Sequence, residues 1–176
     1  MKNKVTIISK FWVVPLVFTI LSLAGVAVAE DSAAKTEASG SSSSVSTKDK
    51  TFMKKAAKGG TMEVAMGKTA EQSGQSDDVK SFGKRMVTDH SKANDELKSI
   101  AEKKGVTLPS KEPTVKWSSD KAYIDAMVKD HEKDLAEFQE EANSGGDPDL
   151  KKFADDSAKM VQEHLDLAKE IQGKLK

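Results

Sequence analysis

The sequence predicts an all-α protein, an up-down-up-down four-helix bundle, and three observations carry that expectation. Four segments repeat apolar residues at steps of three and four, the mark of a helix with one buried stripe. No segment alternates with period two over a useful length, so strands have no support. The segments are bounded by capping and turn residues, and each would span roughly 36 Å as a helix, which suits side-by-side packing.

The chain opens with a segment that belongs to no bundle. Lys2, Lys4 and Lys10 form a basic start, "FWVVPLVFTILSLAGV" an apolar run, and Ala27-Val28-Ala29 the small-x-small ending that signal peptidase cuts after. The expectation is a signal peptide over 1–29, cleaved after Ala29, and an exported protein of the periplasm or outer envelope. A retained anchor is the rival reading, because residues 11–29 are just long enough to span a bilayer of roughly 30 Å. Residues 30–48, "EDSAAKTEASGSSSSVSTK", offer almost nothing to bury and read as a disordered linker. The bundle is expected over 49–176.

Helix one is expected from about Lys50 to Ser73, and its Gly59-Gly60 pair suggests a close helix approach. Helix two runs from about Asp77 to Lys104; Ser76 caps it, Asp77 and Asp78 place acids at its positive end, and Gly105 stops it. The connection up to Ser119 holds Pro109, Pro113 and Trp117, and Trp117 is expected to fold back over one end of the bundle. Helix three covers about Asp120 to Asn143. Helix four opens at Asp147-Pro148, with proline at the first helical position, and runs to about Lys174. The short "SGGD" turn makes helices three and four antiparallel neighbours.

Composition narrows the function classes. The chain holds 28 basic and 28 acidic residues, and removing the signal's three lysines leaves a net charge of −3. A weakly acidic chain without a basic stripe gives no footprint for nucleic acid or an anionic membrane surface. There is no cysteine, hence no lipid anchor on a cysteine and no disulfide framework. A metal site would have to use His, carboxylate, Met or water. No strained nucleophile turn or base–orienter pair supports a hydrolase.

One motif comes back three times: "MVTDH" ending at His90, "MVKDH" at His131 and "MVQEH" at His164. These are the chain's three histidines. His90 and His131 are 41 residues apart, with Phe82 and Tyr123 each four residues before the corresponding Met, which suggests that helix pairs one-two and three-four are copies of one hairpin. Each histidine falls on the apolar stripe of its helix, and in helix one Glu63 falls on or near the same face. The four helices thus offer Glu63, His90, His131 and His164 inward, near their midpoints.

A lone histidine on an apolar face is usually a satisfied core residue. Three are harder to satisfy, because a buried polar group without a partner costs about 1–3 kcal/mol against a total stability of roughly 5–15 kcal/mol. A transition metal ion (Fe, Zn, Cu or Mn) bound by the three imidazoles and Glu63 would satisfy them together. The alternative is a metal-free hydrogen-bonded network of the same groups. Asp89, Asp130 and Glu163, each just before a histidine, lie about 100° round their helices. They either accept the free N–H of a ligand histidine on a neighbouring helix or form a solvated acidic face. Met86, Met127 and Met160, one turn before each histidine, are core filler or, on a sharper reading, soft ligands suited to copper.

The stretches "FMKKAAKGGTMEVAMGKTA", "VKSFGKRMVTDHSKANDELKSIAEKKGVTLP", "YIDAMVKDHEKDLAEFQEEANSGGDPDLKKFA" and "EHLDLAKEI" resemble the bacterial family known as domain of unknown function 4142. The resemblance covers about Thr51 to Ile171. It implies an exported, ferritin-like bundle, and it assigns no catalytic residue. The ferritin-like di-iron pattern needs Glu-x-x-His on two helices, whereas Val87, Val128 and Val161 stand three residues before the histidines. Iron storage and di-iron oxygen chemistry therefore do not carry over. The expected function is an exported bundle that binds a transition metal, buffering or sensing it. The alternatives are a structural or stress-related envelope protein with a metal-free polar core and, third, a redox enzyme.

Overall fold

The structure is a computed structural model, which describes residues 45–111 and 113–175. The signal peptide and most of the linker expected at the N-terminus lie outside the described residues. Four helices form: α1 (Thr47–Ser73), α2 (Asp77–Lys103), α3 (Asp120–Ser144) and α4 (Pro148–Lys174). None of the helices among the described residues is long and apolar enough to cross a membrane. The linker boundary moves back. Val45 is buried in the core, and Ser46 accepts a hydrogen bond from the Asp49 N–H as the N-cap of α1, so Thr47 and Lys48 are already helical.

Each remaining helix start has a side-chain cap of the same kind. Ser76 accepts from Asp78 N–H, Ser119 from Ala122 N–H, and Asp147 from the N–H groups of Asp149 and Leu150. At the end of α2, Gly105 takes φ 66°, and the Val106 N–H reaches back to the Ala101 carbonyl at 2.9 Å. A side chain at this left-handed position would be strained, which is why glycine stops the helix.

The four-helix bundle forms as expected, but the order of helix directions is corrected from up-down-up-down to up-down-down-up. The end contacts decide it. Gly74–Ser76, joining α1 to α2, meets the start of α3: Asp120 accepts from the Gln75 N–H at 2.9 Å and the Ser76 N–H at 2.7 Å. At the opposite end, the start of α1 meets the α3–α4 turn, with Asp49 accepting from the Gly146 N–H at 3.0 Å. Lys104, at the end of α2, pairs with Asp147 and Asp149 at the start of α4, each at 2.7 Å. Lys174, at the end of α4, pairs with Asp78 at 3.1 Å. The segment after Lys104 must therefore run the whole length of the bundle before α3 begins. A 27-residue helix is about 40 Å long, and the connection to Ser119 can reach roughly 50 Å when extended, a conformation its prolines favour. Val106 and Leu108 pack on one end of the core, and Trp117 packs on the other, its ring 5.7 Å from that of Tyr123.

The hairpins α1–α2 and α3–α4 are the most closely packed pairs, with α2 against α4 and α1 against α3. The hairpins correspond end to end. Asp49 and Asp120 each hold the other hairpin's turn, and Lys104 and Lys174 each bind the other hairpin's second-helix start. The 41-residue spacing has a different basis: it links α2 to α3, which run parallel across the core, so Phe82 meets Tyr123 (6.1 Å) and His90 meets His131 (5.6 Å).

Two apolar clusters fill the bundle. The lower one includes Phe52, Met53, Leu97, Ile100, Leu150 and Phe153; the upper one includes Val79, Phe82, Met86, Ile124, Met127 and Ile171. The backbones of α1 and α2 approach closely where a Cβ on Gly67 would lie 2.7 Å from the Gly83 carbonyl oxygen and the reverse is equally tight. Gly67→Ala or Gly83→Ala should therefore force the helices apart and cost about 1–3 kcal/mol, despite a propensity gain of up to about 1 kcal/mol. Gly173 has open space around it, so Gly173→Ala should hold or raise stability. Thermal melts of the three variants check this; equal behaviour at all three positions would show that the α1–α2 contact is looser.

Candidate functional site

Between the two apolar clusters lies one polar layer. Glu63 comes from the middle of α1, His90 from α2, His131 from α3 and His164 from α4, and all four are buried. The three imidazole centroids form a near-regular triangle with sides of 5.2, 5.6 and 5.6 Å. One ring nitrogen from each lies within 4.8 Å of the others. Glu63 caps the triangle from α1, with Oε2 3.0 Å from His90 Nδ1 and Oε1 3.6 Å from His131 Nδ1.

Few of these atoms are satisfied. His164 Nε2 donates to Asp89 Oδ2 at 2.9 Å, across the α2–α4 interface. That bond fixes the tautomer and leaves the His164 Nδ1 lone pair facing inward. His164 Nδ1, His90 Nε2, both nitrogens of His131 and Glu63 Oε1 are buried without a hydrogen-bond partner. The Tyr123 hydroxyl is buried and unpartnered as well.

The other residues singled out in the sequence separate. Asp89 holds His164 and is itself held by Arg85, whose Nε is 3.3 Å from Asp89 Oδ2 and whose Nη2 reaches Glu163 at 2.6 Å. Glu163 is exposed and bonds no imidazole, which is the solvated-face alternative. Asp130 also bonds no histidine; it lines a pocket of about 370 Å³ that opens beside Glu63 and His90. The methionines do not converge as a soft-ligand set. Because α4 runs opposite to α2 and α3, Met86 and Met127 fall in the upper apolar cluster while Met160 lines the pocket together with Phe153 of the lower cluster.

Three participants were missed in the sequence. Arg85 stands four residues before Asp89, a helical ion-pair spacing that was visible. Asp134 follows Asp130 by one turn and was visible as a carboxylate stripe. Asn94 was not legible: it matters because its side-chain amide packs where a Cβ on Gly60 would sit. The Asn94 side chain thus fills the space at Gly60, whereas a Cβ on Gly59 would meet nothing nearer than Asp134 Oδ2 at 3.7 Å, so close backbone approach accounts for neither glycine.

Burial sets the protonation of the layer. It pushes the Glu63 carboxyl up to about 8, helped by the charges of Asp134 and Asp130. It lowers His131 to about 4 and His90 well below the usual imidazole range, with the other histidines adding to the effect. Burial also lowers His164, against the pull of Asp89. Asp89 is desolvated, which alone would raise it, but the hydrogen bonds from His164 and Arg85 hold it below the usual carboxylate value. In the metal-free layer at neutral pH the imidazoles are neutral and Glu63 carries a proton.

Fold and site together define the class: a four-helix bundle with a three-histidine, one-carboxylate layer enclosed between two apolar clusters. The chain belongs to the family described as Domain of unknown function (DUF4142), whose model matches residues 34–171. Among solved structures it is similar to a DUF305 fragment from Deinococcus radiodurans, at 10% identity and a TM-score of 0.63, covering 74% of this chain and 98% of that one. At that identity the likeness shows the fold alone. No curated protein matches the chain.

The protonation pattern has a signature in stability. Histidines held below their ordinary values lose stabilisation as pH falls below about 6.5, because the unfolded chain takes up protons that the folded one refuses. Glu63, raised from 4.5 to about 8, and Glu141, raised by burial and then by Asp49 to about 7, act oppositely: their contribution is lost as pH rises through those values. The metal-free protein should be most stable around pH 6 and fall away on both sides. Glu63→Gln should remove much of the alkaline loss between pH 6 and 8, an effect on the order of a few kcal/mol. Denaturant melts across that range check it; a midpoint independent of pH would contradict the buried, protonated Glu63.

Proposed function

We propose that the protein is an exported metal-binding bundle that holds a transition metal ion with His90, His131, His164 and Glu63. One observation carries the reading: the three imidazoles, from three helices, bring ring nitrogens within 4.8 Å of one another, and buried nitrogens on each, with Glu63 Oε1, have no partner in the protein. Leaving that many polar atoms unsatisfied is costly, and one cation answers one nitrogen of each imidazole together with the Glu63 carboxylate. Three neutral nitrogens and a carboxylate suit Zn, Cu(II), Fe(II) or Mn better than a hard-oxygen cation such as Ca or Mg. Asp89 then supports His164 from behind, as carboxylates commonly support ligand histidines. Buffering or sensing of the metal in the envelope is the role that fits a small binding bundle.

The metal-free core is the second reading, favoured by the Glu63–His90 and Asp89–His164 contacts. It accounts for two contacts and leaves His131 Nδ1 3.6 Å from Glu63 Oε1, beyond hydrogen-bond distance.

A stabilising ion distinguishes the two. Metal bound only to the folded chain contributes about 2.7 kcal/mol at 100 times the dissociation constant, a shift of several degrees in melting temperature. His131→Ala should abolish most of that shift, and Asp155→Asn, on an exposed face, should leave it unchanged. The pH dependence identifies Glu63. With the imidazoles already neutral, binding displaces one carboxyl proton, so affinity should rise about tenfold per pH unit between 6 and 8 and then level off. If Zn, Cu, Fe, Mn, Co and Ni all leave the melting curve of the wild-type protein unchanged at neutral pH, the metal reading fails.

A further inference from the structure

We infer that the pocket between α1 and α3 is the route by which a divalent cation reaches the histidine layer, with Asp134 and Asp130 as the carboxylates that meet it on the way. The inference rests on the metal-binding reading above and says how that site is reached.

The pocket, about 370 Å³, ends on Glu63 and His90, each more than nine-tenths buried and each with an unpartnered polar atom, Glu63 Oε1 and His90 Nε2. The hollow beneath Val106–Ser110 and the one beside Trp117 include none of the four site residues. Two residues of the layer thus line this opening, and the charges of Asp134 and Asp130 act on Glu63.

The arrangement of charge around the opening is layered. Side chains of Lys55 and Lys133 are 60% and 69% exposed, whereas those of Asp134 and Glu137 are 20% and 29% exposed. The ammonium groups of Lys55 and Lys133 therefore sit at the rim with the exposed Asp130, and the carboxylates of Asp134 and Glu137 further in. Lys133 stands 3.8 Å from Asp134 and 3.6 Å from Glu137, and Lys55 stands 3.4 Å from Glu137. Long contacts from exposed lysines are worth little, so an arriving dication can displace them.

Gly59 supports the same conclusion from the backbone. Glycine inside a helix costs about 1 kcal/mol against alanine, and no neighbour of Gly59 is close enough to demand it. What its missing side chain does leave clear is the space in front of Asp134. A long side chain there would stand in the opening while leaving all four proposed ligands in place.

Stopped-flow mixing of Co(II) with the mature chain, followed by its ligand-field absorbance, tests the route. Gly59→Met should slow association and dissociation by the same factor, at least several-fold, with little change in affinity. The double variant Asp130→Asn, Asp134→Asn should slow association about tenfold at low salt and weaken its dependence on ionic strength. Lys98→Met, in the hollow under Val106–Ser110, should change neither rate. Wild-type rates in both Gly59→Met and the double variant, with a Co(II) spectrum that His131→Ala abolishes, would overturn the route and leave the site standing. No histidine-dependent Co(II) spectrum in the wild-type protein would overturn the site and the route with it.

Discussion

The enclosure of three imidazoles and one carboxylate between two apolar clusters is the constraint on which the rest of this structure depends. Neither cluster extends through the layer: Leu97, Phe153 and Met53 belong below it, and Phe82, Ile124 and Met127 above. Water, which would solvate these groups in the unfolded chain, is replaced by apolar side chains and by other histidines. The shifts in protonation follow directly, neutral rings and a protonated Glu63, because the low-dielectric surroundings disfavour every charged form. A cation bound in the layer, as proposed, would reverse that logic for Glu63 and leave it intact for the rings.

Such a layer must be held in place from outside, since its own polar contacts are few. The ends of the bundle do this. Asp49 and Asp120 tie each hairpin's first helix to the other hairpin's turn, and Lys104 and Lys174 tie the second helices to each other at opposite ends. With both ends clamped, the helix midpoints have little freedom to slide, and the triangle of rings keeps its spacing. The Gly67–Gly83 contact brings α1 and α2 close above the layer, while Gly60 admits Asn94 below it. The same clamps leave a pocket along α1 and α3, where Gly59 contributes no side chain.

The reversed direction of the second hairpin explains why three copies of one motif do different things. In α2 and α3, which run parallel, the methionine of the motif points to the upper cluster and the histidine to the layer. In α4 the order along the bundle is inverted, so Met160 faces the pocket below. The acid before each histidine diverges too. Asp89 faces α4 and holds His164, Glu163 faces Arg85 and solvent, and Asp130 lines the opening.

By itself the sequence determined four helices, their caps at Ser76 and Asp147, the stop at Gly105, and the inward stripe that carries His90, His131 and His164. Those are local matters: periodicity, capping and backbone conformation are written within a few residues of where they act. It also singled out Glu63 as an inward residue of α1, for the same reason. What only the tertiary structure decided is direction and partnership. A Pro-containing connection of this length can cap one end or cross the whole bundle, and nothing local chooses between them; the clamps at Asp120 and Lys104 do. Once α3 runs down rather than up, the partners of every side chain that leaves the stripe change. Arg85 therefore meets Glu163, Asp89 meets His164, and Asp134 and Asn94 come to line one pocket, because contacts between helices depend on how distant residues are brought to the same height.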